Sequence, residues 1–492
     1  MPSSAPPAAG LGARAARGGA VTMAGQVVRI GIQVLSVVLL ARLLDPHDYG
    51  LLAMVLAVIG VGEILRDFGL SSAAIQAPEL SRGQRTNLFW INTALGAVLA
   101  LAVLAGAPLL AALYDEPDVV PVARALAVTF LLNGMATQYR ADLVRRMRFS
   151  ALATSDLAAP AAALAVGVAL ALAGQGYWAL VAQQVTQALV LLVMLGGWAR
   201  WLPRLPDRSA PVGALLRFGR NLAATQVLGY VANNADSFVI GRRFGAGDLG
   251  FYNRGYQLLT TTLSQLRAPT TTVALPVLSR LSDDTDRFAQ YVRRGQQTLG
   301  YTLVVGVALV AGAAEPVVRV ALGEQWLATA PVLRFLAIAG AMQTLAYVGF
   351  WVYLARGLTA DLFRYSTVTA VVKIACVVAG STWGITGVAA GIAVAASLEW
   401  PLSIWWLSRR TPLPARALVL GALRILAVAS LAGAAGYGAT LAVHGSPVGQ
   451  LALATLGLAV VYALALTVPP VRRDLQAVLA VVRTALSRRA GR

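Results

Sequence analysis

Thr22, Gln26, Arg29 and Gln33 follow one another at intervals of four, three and four residues. On a helix this spacing gathers them into one polar stripe, opposite a face of Val, Ile and Leu. A single arginine on such a stripe suits an anionic ligand, because its planar fork of donors matches phosphate or carboxylate oxygens. Glu63, Arg66 and Asp67 form a second group on one helix face. Either acid can neutralise Arg66 or Arg29 as a structural network, or serve as a coupling or substrate group. Further candidates are Thr225, Asn233, Asn234, Asp236 and Ser237; Thr260, Ser264, Arg267 and Thr271 at helical spacing; Arg334 with Gln343; and Lys373. Arg267 can pair with Asp236 or act as the second half's counterpart of Arg29. For each residue alone, interhelical hydrogen bonding is the competing use. Taken as a set, the cations Arg29, Arg66, Arg267, Arg334 and Lys373 outnumber the acids Glu63, Asp67 and Asp236. A cavity lined by them attracts phosphate and acidic sugars.

Catalytic chemistry has little to work with. The only histidines are His47 and His444, and Cys376 is the only cysteine. A Cys/His metal centre cannot be assembled from these, and no Ser-His-Asp arrangement is available. No Gly-x-x-x-x-Gly-Lys-Ser/Thr occurs, so there is no P-loop. The chain reads as a transporter and not an enzyme, and it requires no cofactor.

The elements that position these groups follow from composition. The chain has 492 residues, 58% hydrophobic and 12% charged, against about 25% charged in soluble domains. It offers fourteen stretches long and apolar enough to cross a bilayer. The expected fold is an all-α polytopic membrane protein of two six-helix bundles plus two extra C-terminal helices. A porin-type barrel, with short alternating strands, is excluded. The formal net charge of +19 would suggest nucleic acid in a soluble protein. Here the arginines fall mostly in every second loop, the positive-inside pattern, so membrane lipid and not nucleic acid is the expected partner. That pattern puts both termini in the cytoplasm.

The expected organisation is a disordered cytoplasmic tail over 1–19, a first bundle over 20–200 and a basic linker over 201–217. A second bundle follows over 218–407, then two additional helices over 408–470 and a basic cytoplasmic tail over 471–492. Each bundle has an even number of spans, so a pseudo-two-fold axis should run along the membrane normal. The additional helices have no counterpart in the repeat and read as an appendage. Tyr49, Trp90, Tyr114, Tyr177, Trp178, Trp198, Trp201, Trp326, Trp400, Trp405 and Trp406 fall mainly near span ends, as an interfacial belt does.

A repeat supports this division. Arg42, Asp48 and Gly50 recur as Arg242, Asp248 and Gly250, 200 positions later, each copy between two apolar stretches. Such long-range internal repetition marks transporters built from similar halves. Asp48 and Asp248 precede spans two and eight, where an acid can satisfy orphan N–H groups and face the helix dipole. A substrate role is the alternative.

Several stretches carry a family resemblance: Ala41 to Gly50 (ARLLDPHDYG), Asp67 to Gln76 (DFGLSSAAIQ), Asn234 to Gly241 (NADSFVIG) and Leu249 to Arg254 (LGFYNR). In this order they resemble Wzx-type polysaccharide and O-antigen flippases of the multidrug/oligosaccharidyl-lipid/polysaccharide exporter superfamily, over roughly residues 20–410. The resemblance implies two bundles around a central V-shaped cavity in the bacterial inner membrane. It also implies alternating-access translocation of undecaprenyl-diphosphate-linked oligosaccharide for lipopolysaccharide or exopolysaccharide export, alongside polymerase and export machinery. Related lipid II flippases use cavity arginines on spans one, two and eight for the diphosphate; Arg29, Arg66 and Arg267 occupy those spans. The multidrug-antiporter branch commonly carries a span-one carboxylate, which this chain lacks. A cation-coupled drug antiporter of the same fold and a non-transporting scaffold of a polysaccharide synthesis complex are the rival readings.

Overall fold

The structure, a computed structural model, describes residues 25–490 apart from 26, 27, 68, 78, 79, 208 and 444. The expected tail over 1–19, Thr22, Gln26, His444 and the side chain of Thr225 lie outside the described residues. Among those described, every regular element is helical. The chain divides into two compact units, Met1–Gly250 and Phe251–Arg492.

The first unit contains α1 (28–43), α2 (Pro46–Asp67), α3 (Leu70–Gln76), α4 (Arg82–Tyr114), α5 (Val119–Arg145), α6 (Phe149–Leu172), α7 (Tyr177–Ala199) and most of α8 (Gly213–Tyr256). Small residues let these helices approach closely, the means by which membrane helices associate where burial of apolar surface no longer drives them together. A Cβ at Gly96 of α4 would sit 2.5 Å from the Phe130 carbonyl of α5, and one at Gly134 of α5 would sit 2.7 Å from the Asn92 carbonyl of α4. Gly60 of α2 leaves room for the Tyr230 ring of α8, whose hydroxyl donates to the Leu56 carbonyl at 2.9 Å.

α8 is broken at Gly245, where φ is 82° and ψ is −175°. Glycine enters that region at no steric cost, so the chain turns there and restarts as a helix. Asp45, just before α2, is the equivalent position 200 residues earlier. The two restarts meet. A Cβ on Gly50 would lie 1.7 Å from the Ala246 carbonyl oxygen, and one on Gly250 would lie 1.9 Å from that of Pro46. Pro46 and Ala246 are themselves 200 residues apart, so the contact is reciprocal, as a local two-fold demands. The capping reading of Asp48 holds: its carboxylate accepts from the N–H of Asp45 at 3.2 Å. It also accepts from the backbone of Tyr177 at the start of α7, so one side chain serves two helix N-termini.

The segment joining the repeats is shorter and better held than expected. Its helical continuation starts at Gly213, and the stretch before it is fastened to the first turns of α4. The Asn87 side-chain amide donates to the Asp207 carbonyl at 2.7 Å and accepts from the Asp207 N–H at 2.8 Å. Gln84 donates to the Pro211 carbonyl at 3.0 Å and Trp90 to that of Arg204 at 2.7 Å. Gln84 also completes a capping box with Ser81, which fixes the α4 end on which the segment rests.

The second unit begins with a π-type turn (Gln257–Thr261) running into α9 (Thr262–Arg280). There follow α10 (Thr285–Leu299), a second π-type turn (Gly300–Val304), α11 (Val305–Gly312), α12 (Ala314–Ala321), α13 (Thr329–Ala355), α14 (Thr359–Gly380), α15 (Gly384–Ser408), α16 (Ala415–Ala442), α17 (Pro447–Ala465) and α18 (Pro469–Ala490). The chain bends by 87° between α11 and α12. All fourteen expected spans overlap helical residues among those described, though the second, eighth and ninth are divided between elements. Nine helical segments among the described residues are long and apolar enough to cross a membrane, or ten with the bent pair, the segment Thr359–Ser408 holding both α14 and α15.

Two expectations for the C-terminal region are corrected. α16 and α17 are not an appendage. Ile425, Val428, Ala432 and Val461 share a buried cluster with Tyr301, Val304 and Leu345, and a Cβ on Gly312 would lie 2.0 Å from the Gly433 carbonyl. The stretch expected as a basic tail is helical through Ala490 and packs on the second unit. Val471, Leu475 and Val478 repeat at helical spacing and enter that same cluster. Two tryptophans also depart from the interfacial belt. Trp326 is fully buried, its ring edge-on to Phe251 at 5.9 Å, and Trp400 is buried in the cluster.

Candidate anion-binding residues

The expected cations fall into environments that differ in kind. In the first unit Arg66 is neutralised. Its Nε and Nη2 each lie 2.9 Å from Glu63 Oε2, Nη1 donates to the Asn133 carbonyl at 3.0 Å, and it also reaches the Thr137 hydroxyl. Asn133 in turn donates to Glu63 Oε1 at 3.1 Å. The pair is the i,i+3 contact its spacing allows, and α5 supplies what the pair leaves unsatisfied. Asp67 accepts from the Ser71 hydroxyl at 2.9 Å. Arg29 is half-buried and has no hydrogen-bond or ion-pair partner among the described residues. Gln33 is half-buried on the same helix, and Asp236 of α8 is buried, 1% exposed.

In the second unit Arg267 stands apart. It is 6% exposed, and its guanidinium lies over the Tyr347 ring at 5.4 Å. It has no carboxylate partner among the described residues. The ring beneath it is held in place: the hydroxyls of Tyr347 and Thr271 are 3.0 Å apart, and Trp351 Nε1 donates to Thr271 at 3.0 Å. A buried membrane cation ordinarily pairs or faces a polar cavity. Arg267 gains only a cation–π contact, worth about 0.5–2 kcal/mol, so its charge remains available to an anion. The π-type turn at 257–261 and Pro269 and Pro276 lie in the same helical run, and such irregularities often occur at functional sites.

The other two cations are placed elsewhere. Arg334 is ion-paired with Glu315 at 3.1 Å, both substantially exposed. At 1.5 Å per residue, the thirteen residues from Arg334 to Tyr347 put it about 20 Å along α13 from the Arg267 cluster. Lys373 interacts electrostatically with Glu399 of α15, an acid that sequence reading passed over. Asp142 was also missed. α5 extends through Arg145, and Asp142 on it binds Arg85 at 2.8 Å and Arg146 at 3.1 Å. The i,i+4 spacing of Asp142 and Arg146 was the available signal. Arg140 makes two 2.8 Å bonds to Asp156 of α6. Among the described residues no cluster of three or more His, Cys, Asp or Glu could hold a metal ion.

An all-helical bilayer protein with two repeats meeting at glycine crossings has the fold of a membrane transporter. It superposes on the lipid II flippase MurJ in an inward closed conformation with a TM-score of 0.71 and 12% identity, covering 91% of this chain and 98% of that one. On a MATE-family multidrug resistance transporter in an inward-facing conformation the TM-score is 0.60 with 13% identity, over 80% and 98% of the two chains.

Within that class, the chain belongs to the polysaccharide biosynthesis protein family, whose model matches residues 39–331. It is 26% identical to the lipopolysaccharide biosynthesis protein WzxC of Escherichia coli over 74% of this chain and 75% of the relative. It is 27% identical to the succinoglycan biosynthesis transport protein ExoT of Rhizobium meliloti over 64% of each, and 28% identical to the teichuronic acid biosynthesis protein TuaB of Bacillus subtilis over 62% and 63%. The chain thus spans just under two thirds of the length of the last two relatives.

Proposed function

We propose that this protein is a flippase that moves a diphosphate-linked, lipid-anchored oligosaccharide across the bacterial cytoplasmic membrane for polysaccharide export. The observation that carries the reading is Arg267: a buried arginine on α9, with an aromatic floor and no acidic partner among the described residues. Such a group favours a multiply charged anion with several acceptor oxygens, and a diphosphate has both properties. Arg29 of the first unit, also without a partner among the described residues, is a further candidate for anion binding. Membership of a polysaccharide biosynthesis family, with relatives named for lipopolysaccharide biosynthesis and for succinoglycan biosynthesis transport, points to a glycan as the attached group. Gln26, Gln33, Asp236, Arg334 and Lys373 are proposed to line its route, with Glu63 and Asp67 as the charge network beside it. Both termini face the cytoplasm, and polysaccharide polymerase and export machinery act on the delivered product. The undecaprenyl lipid tail stays in the bilayer while access alternates.

The test is a deletion strain analysed for lipid-linked intermediates. Loss of the protein should leave diphosphate-linked oligosaccharide accumulated on the cytoplasmic leaflet, and re-expression should clear it. Normal export with no accumulation, accompanied by increased sensitivity to cationic drugs, would favour an antiporter instead.

A further inference from the structure

α18 reaches the body of the second unit through one buried carboxylate. Asp474 accepts from Arg424 Nε at 2.8 Å, from the Tyr301 hydroxyl at 3.4 Å and from the Gln297 side chain. Asp474 is 7% exposed. Val471, Leu475 and Val478 pack beneath it, so the helix has a fixed inner face. α18 packs against α10 around this node. Arg472 and Arg473 immediately precede Asp474, and Arg293 and Arg294 lie one turn before Gln297. All four are exposed, and none has a hydrogen-bond or ion-pair partner for its guanidinium among the described residues. By contrast Arg287, also on α10, has Asp284. Leu466, Val468 and Leu479 stand 43%, 46% and 52% exposed around the same helix. α18 starts at Pro469, directly after the last span ends at Ala465, so it starts at a membrane surface.

We infer that the arginine patch where α10 and α18 pack docks on the anionic phospholipid headgroups of the bilayer that holds the protein. The charge would suit any polyanion, but the exposed leucines and valine beside it suit only a partner with an apolar layer beneath its charge. That combination defines an interfacial amphipathic helix. Each arginine near an anionic leaflet strengthens association by about fivefold, and the Asp474 anchor holds α18 in place, so that little ordering is needed on contact.

Full-length protein carrying Cys376→Ser and Leu479→Cys, spin-labelled at position 479, is placed in nanodiscs of phosphatidylcholine with and without phosphatidylglycerol. Label depth is then read by oxygen and nickel accessibility. Phosphatidylglycerol should draw the label deeper, and salt near 1 M, where the screening length falls to about 3 Å, should reverse the shift. Replacing Arg293, Arg294, Arg472 and Arg473 by Gln should abolish it; replacing them by Lys should preserve it. If the fourfold Gln protein does not fold, the Arg293/Arg294 and Arg472/Arg473 pairs are changed separately, and each should reduce the shift. An undiminished shift in the Gln proteins, or an equal loss in the Lys protein, overturns the inference. So does tight binding of an acidic oligonucleotide with no response to the lipid.

Discussion

Gly50 and Gly250 face each other's helix starts across a single crossing: each presents its bare Cα to the carbonyl oxygen four residues before the other. The offsets, 1.7 Å and 1.9 Å for a hypothetical Cβ, are nearly the same in both directions. A contact equal in both directions is what symmetry-related copies produce. The repeated Asp-x-Gly therefore has two tasks: the aspartate of the first copy ties down helix starts, and the glycines let those starts cross at backbone distance.

Gly50→Ala and Gly250→Ala should each lower thermal stability in detergent, by about 1–3 kcal/mol for an overpacked site. The double variant should cost less than the sum, because displacement at one glycine relieves the other. Gly247→Ala, with open space around its Cβ position, should leave the melting temperature unchanged. Fluorescence-detected thermal unfolding of the purified proteins decides this, and equal melting points for all three single variants would remove the crossing from the account.

Glu63→Gln should destabilise the first unit. It removes the counter-charge of Arg66, whose side chain is 11% exposed, while leaving Asn133 and Thr137 in place. Losing a charged hydrogen-bond partner costs about 1.5–3 kcal/mol, and stranding a buried charge costs more. Expression level and melting temperature should fall together. Normal stability with impaired export would instead assign Glu63 to coupling or substrate.

Arg267→Ala should reduce export sharply while the protein stays in the membrane at normal level, since no ion pair is broken by its removal. Arg29→Ala should do likewise. Arg267→Lys should keep part of the activity, because the charge remains while the planar fork is lost. Complementation of a deletion strain, scored by surface polysaccharide and by immunoblot, measures both quantities. Full export by the Arg29→Ala, Arg267→Ala double variant would dismiss a role for these arginines in binding the diphosphate.

Reporter fusions test the orientation. Fusions at Asp118 and Ser446 should read outside the cytoplasm, and fusions at Arg208 and Arg488 inside. The inverse result at Asp118 and Arg208 would turn the protein over in the membrane and move the arginine patch of α10 and α18 to the opposite leaflet.

The spans were legible because long apolar runs and alternating arginine loops are local signals. So was the Glu63–Arg66 pair, whose members are three residues apart. Asn133 and Thr137 were not, because nothing in sequence announces a partner some 70 residues away. Arg267 and Arg334 looked alike as lone cations in apolar stretches; only packing shows that one has Glu315 and the other a tyrosine ring. α18 was missed for another reason. Its arginines suggested a tail, while the spacing of Val471, Leu475 and Val478, which is helical, went unweighed.

The Asp48 carboxylate also bears on how the chain is made. Its own helix start emerges from the ribosome early, but Tyr177 follows about 130 residues later and Ala246 follows Pro46 by 200. At about 5–20 residues per second, the first hairpin waits roughly 10–40 s before the backbone that closes against it exists. The amino-terminal unit is therefore assembled out of order: its earliest helices cannot settle into final positions until translation has passed the Gly245 break. A ribosome stalled before that point would leave a half-built bundle in the lipid, with its crossing glycines uncovered.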